Sequence, residues 1–129
     1  MSRRQQKKPK WVLEGRKQLI YISQPKDGRS KEEIAMERER MLTEVRKIYP
    51  EDEVDIIESL IDEDPPEGCN KASLYFLARS LELMSYADFV IFNDNWADAR
   101  NSSIEKLVCD KYQIKYAMEN DLRTGEVTK

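Results

Sequence analysis

The chain has 129 residues, which suits one domain, and a formal net charge of −3. It contains no histidine and only two cysteines, which argues against a catalytic triad, a zinc site and a disulfide framework, and leaves acid–base chemistry to carboxylates, Tyr or Lys. No apolar run approaches the roughly 20 residues needed to cross a bilayer, so we expect a cytoplasmic protein without a membrane partner.

The first residues are basic, whereas the middle of the chain is acidic. Residues 1–10 contain Lys and Arg but no acid, and residues 51–67 contain acids but neither Lys nor Arg. This polar composition predicts a disordered head over residues 1–17. A nucleic-acid partner is disfavoured, because Gln5 and Gln6 supply no aromatic ring that could stack on bases.

The first predicted unit is a strand followed by a loop and a helix. Gln18–Ser23 is rich in residues that favour strands, and Pro25 ends it. Ser30 and Glu33 have the spacing of a capping box, from which a helix is expected to continue to Tyr49. The apolar residues that recur at helical spacing are Ile34, Met41, Val45 and Ile48.

A second unit of the same kind follows. Val54–Ile57 is predicted as a strand, and residues 58–68, with two prolines, as the longest loop of the domain. Asn70 or Ser73 is expected to cap the next helix. One face of that helix carries an apolar stripe formed by Leu74, Leu77, Leu81 and Met84.

The segment from Asp88 to Glu105 organises the rest of the chain. Phe89–Phe92 is a continuous apolar run, typical of a strand that is buried on both faces of a parallel sheet, and a polar loop follows it directly. A helix is predicted over residues 102–112, a fourth strand over residues 114–118 and a flexible tail over residues 121–129. Ligands of open parallel sheets bind at the carboxyl edge, where this polar loop is expected.

The alternation of strands and helices predicts an α/β fold. Right-handed crossovers then give a parallel sheet, here of four or five strands with the first strand in its interior. We therefore expect a small flavodoxin-like (Rossmann-like) three-layer sandwich over residues 18–120.

Four short motifs lie at these predicted positions: residues 20–25 (Ile-Tyr-Ile-Ser-Gln-Pro), 79–81 (Arg-Ser-Leu), 87–91 (Ala-Asp-Phe-Val-Ile) and 96–105 (Trp-x-x-Ala-Arg-Asn-x-x-Ile-Glu). Together they resemble the nucleoside 2-deoxyribosyltransferase-like superfamily, and in particular its small bacterial and phage branch. The likeness covers roughly residues 18–118. The last motif is its most specific part.

The resemblance implies a homodimeric enzyme, without cofactor or metal, that cleaves or transfers at the N-glycosidic bond of a deoxynucleoside or its monophosphate. Glu105 falls on the family's nucleophile, and Tyr21 on a tyrosine that positions the nucleophile or the sugar. A second carboxyl, for which Asp98 is our candidate, handles the proton of the leaving base, much as in retaining glycosidases. The residues expected to bind substrate are Ser23, Arg29, Ser80, Asn93, Asp94, Trp96, Arg100 and Ser102.

The same resemblance suggests where a phosphate could bind. Arg29 could supply positive charge, and the amides near Ser30 could supply donors at the start of a helix. The sequence leaves open whether the sugar is phosphorylated, which base it carries, and whether water or another base is the acceptor.

Three positions depart from the family pattern. Gln24 and Asn101 replace glycines, and Ser80 replaces the aspartate that helps the base to leave. Serine cannot donate a proton as a carboxylic acid can, so that Asp94 or Asp98 must take this role in an active enzyme. The changes at Gln24 and Ser80 favour an alternative, a non-catalytic module that binds or senses nucleotides.

Two further classes of protein fit parts of the sequence. An interaction module would depend on the basic head. A phosphoacceptor receiver domain shares the fold class, but the pair of acidic residues that follows its first strand is replaced here by Ser23 and Gln24. This replacement disfavours a receiver domain.

Several of these residues also have a purely structural interpretation. Ser102 and Glu105 have the spacing of a capping box, in which Glu105 accepts a hydrogen bond from the Ser102 amide. Trp96 could cover the end of the sheet, and Tyr21 could belong to the core. Arg29 could be a solvated loop residue. Both interpretations are left open at this point.

Overall fold

The computed structural model describes residues 17–125, so that the predicted disordered head falls, except for Lys17, outside the described residues. Strands and helices alternate along this part of the chain. They are β1 (Gln18–Ser23), α1 (Lys31–Ile48), β2 (Val54–Ile57), α2 (Ala72–Met84), β3 (Phe89–Phe92), α3 (Arg100–Tyr112), β4 (Tyr116–Met118) and α4 (Glu119–Thr124). None of the helices within residues 17–125 is long and apolar enough to cross a membrane.

The four strands form one parallel sheet in the order β2-β1-β3-β4. β1 lies in its interior, with Tyr21 opposite Ile57 on one side and Val90 on the other. Because neighbouring strands run parallel, their carboxyl ends meet at one edge. The predicted α/β fold, a small flavodoxin-like three-layer sandwich, is therefore confirmed.

Two apolar clusters fill the spaces between the sheet and the helices. Side chains alternate across a strand, so that Ile20 and Ile22 pack with α1 and α4, whereas Leu19 and Tyr21 pack with α2 and α3. Burial on both faces explains why β1 and β3 consist of nearly continuous apolar runs.

The two long helices before β3 begin differently. α1 begins with the predicted capping box, in which the Glu33 amide donates to Ser30 Oγ (3.1 Å) and the Ser30 amide donates to Glu33 Oε1 (3.0 Å). For α2 the prediction was wrong, since Lys71 occupies the cap position without a side-chain hydrogen bond. Neither Asn70 nor Ser73 caps this helix, because it begins at Ala72 and Ser73 already lies in its first turn.

The last third of the chain differs from the prediction in three places. α3 begins at Arg100, two residues earlier than expected, and β4 is limited to Tyr116–Met118. Part of the predicted tail forms the short helix α4 instead of a flexible end. Tertiary contacts explain this helix, because Leu122 is buried against the sheet and the Met118 amide donates to Asp121 Oδ2 (3.1 Å).

The apolar stripe of α2 is only partly covered. Leu77 and Met84 are buried, whereas Leu74 is 60% exposed. The homodimer stays a prediction.

Candidate functional site

The carboxyl edge of the sheet opens into a cavity of about 740 Å³. Small-molecule sites range from roughly 300 to 1,000 Å³, so this cavity has the size of a site for one small ligand. Its walls come from the end of β1, from the loops that follow β1, β2 and β3, and from residues of α1, α2 and α3. Seven of the predicted site residues lie in these walls: Tyr21, Arg29, Ser80, Asp98, Arg100, Ser102 and Glu105.

Glu105 is the carboxylate at the centre of the cavity wall, and it is only 4% exposed. Its Oε1 accepts a hydrogen bond from Ser23 Oγ (2.6 Å), and its Oε2 accepts one from the Tyr21 hydroxyl (3.1 Å). Ser23 Oγ is also 2.9 Å from Ser102 Oγ. Because Ser23 gives its single hydroxyl proton to Glu105, Ser102 must be the donor to Ser23. Three hydroxyl groups thus hold one carboxylate.

The fold explains why these groups converge. Tyr21 and Ser23 are two residues apart on β1 and therefore face the same side of the sheet. Glu105 lies in the second turn of α3, which packs on that side. The predicted convergence of Tyr21 and Glu105 is therefore confirmed. The capping-box interpretation of Glu105 is wrong, because α3 begins at Arg100 and the carboxylate reaches β1 instead of the Ser102 amide.

Burial and hydrogen bonding act in opposite directions on the Glu105 carboxyl. Its pKa is raised by burial, while the hydrogen bonds from Ser23 and Tyr21 and the charge of Lys26 favour the ionised form. Burial and the Glu105 charge raise the Tyr21 pKa well above its usual value, so its hydroxyl stays a proton donor. Burial lowers the pKa of Lys26, whose Nζ donates to the Ser59 carbonyl oxygen (2.6 Å).

Of the residues considered for the second carboxyl, one lines the cavity. Ser80 is buried in the wall, close enough to Tyr21 to affect its pKa, but it carries no carboxyl. Asp98 lines the cavity in the 3₁₀ turn Trp96–Asp98 and is exposed. Asp94 lies elsewhere and cannot replace the missing acid. Of the two replacements considered, only Asp98 is placed where a ligand can reach it.

Besides Ser23, whose hydroxyl donates to Glu105, three residues expected to bind substrate lie outside the cavity wall. Asn93 is buried, with Nδ2 3.4 Å from Glu119 Oε1. Asp94 accepts hydrogen bonds from Arg123 Nη2 (2.6 Å) and from the Asn120 amide (2.8 Å). Both side chains contact α4 and not the cavity, because the chain after β3 first turns towards that helix, on the other side of the sheet.

Trp96 is the third of these residues. Its ring packs on Phe92, with 6.3 Å between the ring centroids, and Lys106 Nζ lies 5.4 Å from its centroid. Trp96 therefore belongs to the apolar cluster beneath α3 and covers the end of the sheet. Its structural interpretation is the correct one.

The cavity also contains groups that sequence reasoning missed. Gln24 is buried, and its Nε2 donates to the Ile34 carbonyl oxygen (3.0 Å) and to Glu37 Oε1 (2.9 Å). Lys26 lies two residues after Gln24 and also lines the cavity. Its place in the loop that follows β1 was the only feature of the sequence that indicated this position. Phe76 forms part of the apolar wall and was predictable, because it lies one helical turn before Ser80.

The comparisons do not extend these observations. No family model, no curated protein and no solved structure matches the chain. Within residues 17–125, no group of three or more His, Cys, Asp or Glu side chains could hold a metal ion.

Proposed function

We propose that this protein cleaves or transfers at the N-glycosidic bond of a deoxynucleoside, with Glu105 as the nucleophile. The observation that carries this proposal is a buried carboxylate in the wall of a cavity of ligand size, held by the hydroxyls of Tyr21 and Ser23. A carboxylate without an arginine partner keeps its charge available for attack on an electrophilic carbon. The superfamily resemblance supports the same assignment.

The hydroxyl groups aim the carboxylate without neutralising it. Tyr21 binds one oxygen and Ser23 the other, so the plane of the carboxylate is fixed before a ligand arrives. The charge of Lys26 favours the ionised form that a nucleophile requires. Tyr21, Ser23 and Ser102 are therefore positioning residues, and Glu105 is the nucleophile.

The reaction proceeds in two displacements. Glu105 attacks the anomeric carbon, the carbon–nitrogen bond breaks with its electron pair leaving on the base, and Asp98 gives the base a proton. Water or a second base then displaces Glu105 from the sugar and returns a proton to Asp98. Splitting one hard displacement into two easier ones is the reason for using a carboxylate nucleophile.

Glu105→Gln tests the proposal most directly. The amide keeps the shape of the side chain but loses the attacking charge, so base release should fall about 10³-fold or more while ligand binding is retained. Base release from a panel of deoxynucleosides and their monophosphates is measured by chromatography. Glu39→Gln is the matched control, because Glu39 is an exposed residue of α1 that does not line the cavity.

A second candidate function is non-catalytic binding or sensing of the same ligands. The observation that favours it is Ser80, which places a neutral hydroxyl in the wall beside Tyr21 where the family has an acid. Micromolar binding by the wild-type chain, without base release by the wild-type chain or by Ser80→Asp, would establish the sensor and exclude the enzyme.

A further inference from the structure

The loop that follows β1 is the part of the cavity where a phosphate was expected, and its own side chains already use its donors. At the start of α1, Ser30 Oγ accepts from the Glu33 amide, and the Glu33 carboxylate accepts from the Ser30 amide. Glu32 and Glu33 also place two acids in the first turn. Carboxylates of the chain itself therefore already occupy the N-terminus of α1, where the helix dipole favours negative charge.

Arg29 also has a carboxylate partner without a ligand. Its Nη1 donates to Glu37 Oε1 (3.0 Å) and to the Pro25 carbonyl oxygen (2.8 Å). Glu37 in turn accepts from Gln24, and only 14% of its side chain is exposed. A phosphate on Arg29 would lie beside the Glu37 carboxylate, which is held by Arg29 and also by Arg40, whose Nη2 is 3.8 Å from Glu37 Oε2. Two anions would then share one site, and juxtaposed like charges are costly.

The other cations of the cavity are engaged as well. Arg100 Nη2 pairs with Asp27 Oδ2 (3.0 Å), and Lys26 donates to the Ser59 carbonyl oxygen while its charge interacts with Glu105. Three cations line the cavity, namely Lys26, Arg29 and Arg100, against four carboxylates, namely Asp27, Glu37, Asp98 and Glu105. With all seven groups ionised the formal charge of the walls is −1, and with Asp98 protonated it is zero, so the walls offer no net positive charge to a dianion.

We infer that this cavity takes the uncharged nucleoside and discriminates against its 5′-monophosphate, and that the Glu37–Arg29 pair is the determinant of this choice. This inference rests on the proposed function, because it assumes a nucleoside ligand. The expected discrimination is about tenfold or more, since juxtaposed like charges cost at least the free energy of a tenfold affinity difference.

Calorimetric titration of the full chain with four deoxynucleosides and their four monophosphates tests the inference. Each nucleoside should bind about tenfold more tightly than its monophosphate. Glu37→Gln removes the charge that occupies Arg29, so it should strengthen monophosphate binding about tenfold and leave nucleoside binding nearly unchanged. Glu39→Gln removes the same charge from an exposed position on α1 and should leave the preference unchanged.

The outcomes separate this inference from the proposed function. Tighter binding of monophosphates by the wild-type chain, or an unchanged preference in a folded Glu37→Gln variant, overturns the inference even if base release occurs. Preferential nucleoside binding without base release supports the inference and overturns the catalytic proposal. Melting curves establish that Glu37→Gln is folded. Absence of binding by both classes of ligand overturns both.

Discussion

Two glutamates are buried at the carboxyl edge of the same sheet, and their surroundings differ. Glu105 is 4% exposed, is held by hydroxyl groups and faces the cavity, whereas Glu119 is 1% exposed and does not line it. Glu119 pairs with Arg40 and with Arg123, whose Nη1 lies 3.0 Å from Glu119 Oε2. An arginine pair fixes a carboxylate as a structural charge, whereas hydroxyl donors orient it and leave it able to react.

The surroundings of the two residues follow from the two sides of the sheet. α1 and α4 cover one side and supply the arginines around Glu119, while α2 and α3 cover the other side and leave the cavity open. Asn93 and Asp94 bind on the Glu119 side, with Asp94 contacting Arg123. The first residues of the polar loop after β3 therefore belong to the structural cluster around Glu119, and the loop lines the cavity further along the chain, at Asp98.

The comparison predicts that the largest effect on stability comes from Glu119. Glu119→Ala removes the carboxylate from Arg40, Arg123 and Asn93, and breaking a buried ion pair costs about 3–5 kcal/mol. We expect about 3 kcal/mol, because both arginines are partly exposed and can be solvated.

Urea unfolding of Glu119→Ala measures this cost. The exposed Glu39→Ala should change the free energy of unfolding by less than about 0.5 kcal/mol. Base release per folded molecule should be unchanged in Glu119→Ala, since Glu119 does not line the cavity. A loss of base release with normal stability would reverse the roles that we assign to the two glutamates.

The elements of the core were predictable because they depend on local pattern. Gln18–Ser23, Val54–Ile57 and Phe89–Phe92 are apolar strands with abrupt ends, and all three appear where the sequence places them. The start of α3 was missed because Ala99, which precedes it, has no capping side chain. α4 was missed because a helix of six residues depends on tertiary contacts and not on its own propensity.

The site was predictable to the extent that it follows from topology. Tyr21 and Glu105 were expected together because a strand end and a helix start meet at the edge of a parallel sheet. No comparable rule predicts the direction of the loop after β3. Trp96 and Asn93 were therefore expected to line the cavity, whereas Trp96 packs on Phe92 and Asn93 contacts Glu119. Lys26 brings its charge to the cavity because its loop folds so that Nζ donates to the Ser59 carbonyl oxygen. The spacing of apolar residues in the sequence does not predict how such a loop folds.

A smaller effect is expected from Ser80→Asp, which would give the cavity a second buried acid. Ser80 is 5% exposed and interacts with Tyr21, so a carboxyl there would lie near the leaving base. Base release should rise about tenfold, less than the roughly 10²–10⁴-fold effect of a well-positioned general acid, because the site has not been shaped around this group. Chromatographic assay of base release, with melting curves as a check on folding, measures this effect. A folded variant with unchanged base release would show that Asp98 already supplies the proton.

The smallest expected effect is the dependence of stability on pH that the burial of Glu105 causes. Burial raises the pKa of Glu105 above its ordinary value of 4.5. Between pH 4.5 and the raised pKa of Glu105, this carboxyl keeps its proton in the folded chain and has lost it in the unfolded chain. The unfolded state therefore binds fewer protons in this pH range. The contribution of Glu105 to stability is therefore fully present below pH 4.5 and is lost as the pH rises through the raised pKa.

Glu105→Gln removes this titration, and unfolding measured across the pH range isolates it. The free energy of unfolding of Glu105→Gln, relative to wild type, should increase as the pH rises above 4.5 and level off above the raised pKa of Glu105. Glu39→Gln should give a difference that does not depend on pH. Base release by the wild-type chain should rise over the same window, because only the ionised carboxylate attacks. A difference between wild type and Glu105→Gln that stays flat with pH would mean that Glu105 titrates at its ordinary value, and that the cavity wall imposes no cost on its charge.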